Sequence, residues 1–267
     1  MAGFTARAIM GALFIVPFLG LSAAAELQTK KFEYQEGSLT LEGFAAWDDA
    51  KQGKRPAILI FPQYTGPSEH EWSAARELAK LGYFAMVADV YGVGVRPAGG
   101  KPAATEMAKF MEDRTLLRGR VKTALDRLLQ EGQVDASKVA TIGYCFGGAG
   151  VLELGRQGAD VKAIVSLHGS LSNPKPADAQ NIKGKVLVLH GADDPAVPVK
   201  EVEAFQAEMK AANVDMTFVA YSQTRHSFTI TSAGSDNTKS SAYNPRSAQR
   251  AWVAMVDFLN ETFAQKL

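Results

Sequence analysis

Three residue types in this sequence could together cleave an acyl bond. Cys145 lies in Gly143-Tyr144-Cys145-Phe146-Gly147-Gly148, between the apolar run 139–142 and a segment able to form a helix. A strand, a glycine-flanked nucleophile and a helix start are the parts of a nucleophile elbow, here with a thiol in place of a hydroxyl. The glycines are there for a physical reason. The turn strains the nucleophile's backbone and leaves no room for neighbouring Cβ atoms. The positive end of the following helix favours thiolate over thiol. The N–H of Phe146 can point at a developing oxyanion. A free thiol is only slightly ionised at neutral pH, so an imidazole must draw its proton and later protonate the leaving group. His226 can do this. A carboxylate that fixes the imidazole's tautomer completes the set, and both Asp193 and Asp194 are placed to provide it. The competing reading is a packed, inert cysteine. Its weight falls once all three groups stand in order along the chain.

Each group must be held by an element. Residues 29–34 and 38–47 alternate polar and apolar, which predicts an antiparallel hairpin at a sheet edge. The apolar runs 56–61, 83–87, 138–142, 161–167, 185–189 and 216–221 read as strands, the first of them buried on both faces. Helical patterns fall between them: Ser68 caps one reaching Leu81, and others cover 104–129 (with a break near Asp113-Arg114), 198–212 and 247–263. Buried strands separated by helices mean a mostly parallel central sheet flanked by helices, an α/β fold. Ligands then bind off the carboxyl ends of the strands. Cys145, the stretch His190 to Pro198, and the stretch Ser222 to Phe228 all follow strand ends. The Gly/Pro-rich segment 92–103 and the polar segment 232–244 are placed to shape the pocket, the second as a lid or as a plain loop. His168 is expected either to line the pocket or to serve as a bonded structural residue, His190 to support its own turn, and His70 to sit on the surface of the first helix. Tyr91 and Phe228 are further candidates for the pocket wall.

Composition removes several alternatives. With 29 Lys and Arg against 28 Asp and Glu, nothing suggests nucleic acid or an anionic membrane as a partner. A single Cys excludes an intrachain disulfide framework, and four scattered His form no zinc motif. The N-terminus reads as an export signal. Arg7 precedes a fourteen-residue apolar run, 8–21, followed by Ser22-Ala23-Ala24-Ala25. Ala23 and Ala25 fit a small-x-small cleavage rule, which makes residues 1–25 a cleaved signal peptide. A retained anchor is the alternative, but the run is short for a bilayer and is broken by Pro17 and Gly20. Residues 26–267 then form a single domain, periplasmic or secreted, without stable membrane insertion.

At Gly143-Tyr144-Cys145-Phe146-Gly147-Gly148, at His190-Gly191 through Val197-Pro198, and at His226-Ser227-Phe228 the sequence resembles the dienelactone hydrolase family of the α/β-hydrolase superfamily. Asp89-Val90-Tyr91-Gly92 also looks like that family's strand-end loop. The resemblance runs from about Gly37 to the last helix and implies an α/β-hydrolase fold. It implies Cys145 as nucleophile, His226 as base and Asp194 as orienting carboxylate, because Asp194 has the family's offset of four from the His-Gly histidine. It also implies the N–H of Tyr64 as the second oxyanion donor beside that of Phe146, and a carboxymethylenebutenolidase-like activity without cofactor or metal. Two positions depart from the pattern. Family members that hydrolyse dienelactone carry a Glu at the position of Gln63 and an Arg at that of Ile230, where it binds the substrate carboxylate. The expected reaction is therefore hydrolysis of a small-molecule ester, lactone or thioester, with dienelactone itself not carried over. The alternative is a non-catalytic envelope binding protein that keeps the fold.

Overall fold

The protein is described by a computed structural model, over residues 27–264 together with Met1 and Gly3. Apart from Met1 and Gly3, the expected signal peptide lies outside the described residues. The chain opens with strands β1 (Leu27–Glu36) and β2 (Leu39–Asp48), joined at Gly37, whose φ of +57° suits a tight hairpin turn. They pair antiparallel along their whole length, Leu27 with Asp48 through Glu36 with Leu39.

Strands β3 (Arg55–Phe61), β4 (Phe84–Val87), β5 (Val134–Tyr144), β6 (Ala163–Leu167), β7 (Lys185–Gly191) and β8 (Met216–Tyr221) complete one eight-stranded sheet. The order is β1-β2-β4-β3-β5-β6-β7-β8, with β2 antiparallel to β4 and every later pairing parallel. This is an α/β fold with a mostly parallel sheet flanked by helices.

Side-chain alternation on the strands splits the core into two layers. In β3, Ala57, Leu59 and Phe61 face one layer while Ile58 and Ile60 face the other. Helices α1 (Glu69–Lys80) and α6 (Pro245–Phe263) cover the second layer, through Ala75, Leu78, Met255 and Leu259. The first layer is closed by α2 (Gly100–Glu112), α3 (Arg114–Leu129), α4 (Phe146–Arg156) and α5 (Val199–Ala211), through Phe110, Leu117, Val151 and Phe205. Full burial of such side chains contributes about 1.5–3 kcal/mol each. Beneath α4, Arg156 is fully buried and donates to both carboxylate oxygens of Glu208 and to Glu153. Among the described residues no helix is long and apolar enough to cross a membrane.

Local chemistry sets the ends of these elements. Ser68 and Glu71 form a reciprocal capping box on α1. Asp113 ends α2 and caps α3 by accepting from the N–H groups of Thr115 and Leu116, which accounts for the break read at that point. Strand β5 begins at Val134, earlier than its apolar run suggests. Its first part is polar and exposed, and its register against β3 shifts between Arg55 and Ala57. Helix α6 begins at Pro245, with Asn244 accepting from Ser247 N–H.

Candidate active site

The end of β5 is built so that only glycine fits at the positions two before and two after Cys145. A Cβ on Gly143 would lie 2.0 Å from the carbonyl oxygen of Gly147, and one on Gly147 would lie 2.3 Å from that of Phe61. Both neighbours are backbone and cannot move aside cheaply. Cys145 itself adopts φ +53° and ψ −114°, a strained conformation for a side-chain-bearing residue. Its N–H donates to Leu167 O at 3.0 Å, which ties the elbow to β6. The thiol is half-buried at the N-terminus of α4.

His226 comes to Cys145 from the loop after β8. Its Nε2 lies 3.1 Å from Cys145 Sγ, and its Nδ1 lies 2.7 Å from Asp194 Oδ2. Asp194, after β7, is buried and also accepts from Ala196 N–H at 2.8 Å. Asp193, the other candidate carboxylate, is exposed; its carbonyl accepts from Arg225 instead. Burial alone would push the His226 imidazolium down in pKa. Hydrogen bonds to Asp194 and to Cys145, with their negative charges, outweigh that and raise it to about 10. The arrangement therefore favours the imidazolium form of His226. Among the described residues, no group of three or more His, Cys, Asp or Glu side chains is gathered as a metal site.

Cys145 and His226 open onto a cavity of about 610 Å³. Gln63, Tyr64, Phe146 and Ile230 are on its wall. Among the described residues, the N–H groups of Tyr64 and Phe146 are spent on no turn, loop or side-chain acceptor. The Tyr64 peptide is held from behind, where Tyr91 Oη donates to Tyr64 O at 2.8 Å.

Three expected wall residues stand behind the wall instead. Tyr91 is buried, stacked on Phe146 with centroids 5.9 Å apart, because its hydroxyl is drawn to Tyr64. Burial and the nearby Cys145 push its phenol pKa up. Phe228 is fully buried in the layer under α6. His168 is also fully buried, with φ +40°; its Nε2 pairs with Thr229 Oγ1 at 2.8 Å and its ring meets His226 edge-on at 5.3 Å. Burial, and then the His226 charge, hold it well below the usual histidine pKa, so it stays neutral.

His70 differs from its expected surface position. It is half-buried edge-on against Tyr144, with centroids 4.6 Å apart, and burial lowers its pKa to about 4. His190 is buried in β7, and its pKa is lowered by burial.

The polar segment 232–244 folds back onto the base. Ser241 bridges to His226, Ala242 N–H donates to His226 O at 3.0 Å, and Asn244 N–H donates to Phe228 O at 3.0 Å. Sequence reasoning missed Met107, Met111 and Ser170, which also line the cavity. The two methionines stand one turn apart on α2, and that spacing was the available signal.

The model of the dienelactone hydrolase family matches residues 41–263. The chain belongs to this family. Two solved structures are similar over nearly the whole described chain. A protein named m3DLH is 36% identical with a TM-score of 0.85, covering 88% of this chain and 98% of its own. A dienelactone hydrolase-like promiscuous phosphotriesterase from metagenomic libraries is 37% identical with a TM-score of 0.85, covering 90% of this chain and 99% of its own. A Yersinia pestis protein whose name places it among the carboxymethylenebutenolidases is 27% identical over 232 residues, covering 83% of this chain and 84% of its own.

Proposed function

We propose that the protein hydrolyses ester, lactone or thioester bonds with Cys145 as nucleophile, His226 as acid–base group and Asp194 as orienting carboxylate. The observation that carries this reading is the pair of contacts on one imidazole, 3.1 Å to Cys145 Sγ and 2.7 Å to Asp194 Oδ2, at the wall of a cavity. The thiolate attacks the carbonyl carbon. The negative charge formed on oxygen is met by the N–H groups of Phe146 and Tyr64. His226 gives its proton to the departing alkoxide or thiolate, leaving an acyl-thioester on Cys145. His226, now neutral, takes a proton from water as the water attacks the thioester. Collapse expels the Cys145 thiolate and restores the imidazolium. Asp194 keeps Nδ1 protonated throughout, so that Nε2 carries the moving proton.

Comparing 4-nitrophenyl acetate and small-lactone hydrolysis in the wild type and Cys145→Ala tests this. The variant should lose nearly all activity; equal rates in the two proteins would overturn the reading.

Neutral phosphotriesters form a second substrate group. The 37% identical relative is named a promiscuous phosphotriesterase, and the cavity wall here has no charged side chain besides the His226–Cys145 pair. Turnover of diethyl 4-nitrophenyl phosphate that disappears in Cys145→Ala supports that reading, and no turnover refutes it. The signal read over residues 1–25 supports export, with this chemistry performed outside the cytoplasm. A mature N-terminus at Glu26 is the result expected from sequencing the exported protein.

A further inference from the structure

We infer that the cavity beside Cys145 selects uncharged acyl groups and rejects those bearing a carboxylate. This names the substrate class of the proposed hydrolase and rests on that reading. The cavity lining includes the apolar side chains of Met107, Met111, Val197 and Ile230. Apart from the Cys145–His226 pair its polar side chains are neutral, the carboxamide of Gln63 and hydroxyls such as those of Tyr64, Thr65, Ser170 and Ser227. Among the described lining residues, His226 alone can carry a positive charge, and Asp194 and Cys145 already face its two nitrogens.

The cations around the cavity are not part of its lining. Arg225 donates to the carbonyls of Asp193 and Asn237. Arg96 is bound to the Asp89 carboxylate and lies near Glu42. Lys101 lines a separate groove with Arg96. Arg114 lies outside the lining: it donates to Met111 Sδ and to Ser172 Oγ, each at 3.0 Å, and its Nε has no hydrogen-bond partner among the described residues.

A carboxylate entering this cavity would leave water without gaining a counter-charge, which is strongly unfavourable. It would also share the space with the Cys145 thiolate, a like charge. A neutral acyl group meets neither cost. Its chain can rest on the two methionines, whose unbranched thioethers adapt to irregular shapes. Its carbonyl or ether oxygens can accept from the wall hydroxyls.

The test uses two substrates that differ at one terminus, carboxylate against methyl ester, with 4-nitrophenol release read from both: the mono(4-nitrophenyl) ester of adipic acid and the methyl ester of that compound. Spontaneous hydrolysis is subtracted. The neutral diester should be favoured by about tenfold or more in kcat/KM at pH 7.5, the lower end of what leaving a buried polar group unpaired costs. Met107→Lys is close to isosteric and places an ammonium on the same wall; it should narrow the ratio about tenfold by pairing with the carboxylate, while Met107→Leu should leave the ratio unchanged. Cys145-dependent turnover of both substrates at equal kcat/KM, or faster turnover of the acid, would overturn the inference and leave the hydrolase reading standing. A ratio unmoved by Met107→Lys would also count against the inference. Hydrolysis that persists in Cys145→Ala would instead sink the hydrolase reading itself.

Discussion

Replacing Asp194 with Asn isolates the charge that holds the base. Asp194 is buried, and its Oδ2 lies 2.7 Å from His226 Nδ1. Asn keeps the shape and can still accept from Ala196 N–H, but it removes the negative charge. A hydrogen bond to a charged group contributes about 1.5–3 kcal/mol, and about 1.4 kcal/mol corresponds to one pH unit. The His226 imidazolium of the wild type, which persists to about pH 10, should therefore titrate one to two units lower in the variant, at roughly pH 8–9. The sign follows from the raised pKa. Imidazolium is the form that protonates the leaving group, so activity is lost as pH rises through the folded pKa, and the variant must lose it first. The same linkage applies to stability. The contribution of the His226 charge is fully present below the unfolded histidine value near 6.5 and is lost as pH rises toward about 10. The assay is kcat/KM for 4-nitrophenyl acetate from pH 5 to 10.5 with the spontaneous rate subtracted, alongside thermal melts across that range. If the alkaline limb and the alkaline decline in Tm both fall at the same pH in the two proteins, Asp194 is not holding the charge on His226.

Two further results follow from the geometry. Gly147→Ala places a Cβ 2.3 Å from the carbonyl of Phe61, whereas Gly132→Ala meets nothing within 4 Å. The first should cost about 1–3 kcal/mol and lower Tm by ~2–4 °C per kcal/mol, the second should leave Tm unchanged, and calorimetry on the pair decides. Thr229→Val leaves the buried His168 Nε2 without its 2.8 Å partner, which should cost about 1–3 kcal/mol and, by shifting the loop that carries His226, reduce kcat/KM about tenfold. Thr229→Ser should restore both quantities, and a valine variant with wild-type activity and Tm would show that the bond holds nothing in place.

The fold was legible where hydrophobic pattern and local chemistry agree. The runs feeding β3, β6 and β7 are buried on both faces, so they read as strands without help from neighbours. Ser68 announced one helix start, and the break near Asp113-Arg114 was read without the cap that makes it; the reciprocal Glu71 bond and the Asp113 bonds to Thr115 and Leu116 came from the structure. The beginning of β5 was hidden because residues 135–138 fall in the register shift between Val134 and Val139, are largely exposed and form no apolar run. The gathering of Cys145, Asp194 and His226 could be read because strand ends are where an α/β sheet assembles its polar groups. Distinguishing wall from support could not. Tyr91, His168 and Phe228 leave the same trace in sequence as residues facing a ligand. Only the Tyr91 bond to Tyr64 O and the His168 bond to Thr229 reveal that they brace the wall from behind. His70 was misjudged for a related reason: its place on α1 gives no hint that Tyr144, from β5, covers its ring.

The distance along the chain between nucleophile and base has a kinetic consequence. Cys145 and His226 are 81 positions apart, and His226 arrives only when β8 pairs with β7 at the far edge of the sheet. Bringing His226 to Cys145 closes a long stretch of chain before the contact can reward it. Until then Cys145 is an unassisted thiol, and it is the only thiol in the chain. Its rate of alkylation during refolding therefore reports the docking of β8, changing when His226 reaches the thiol.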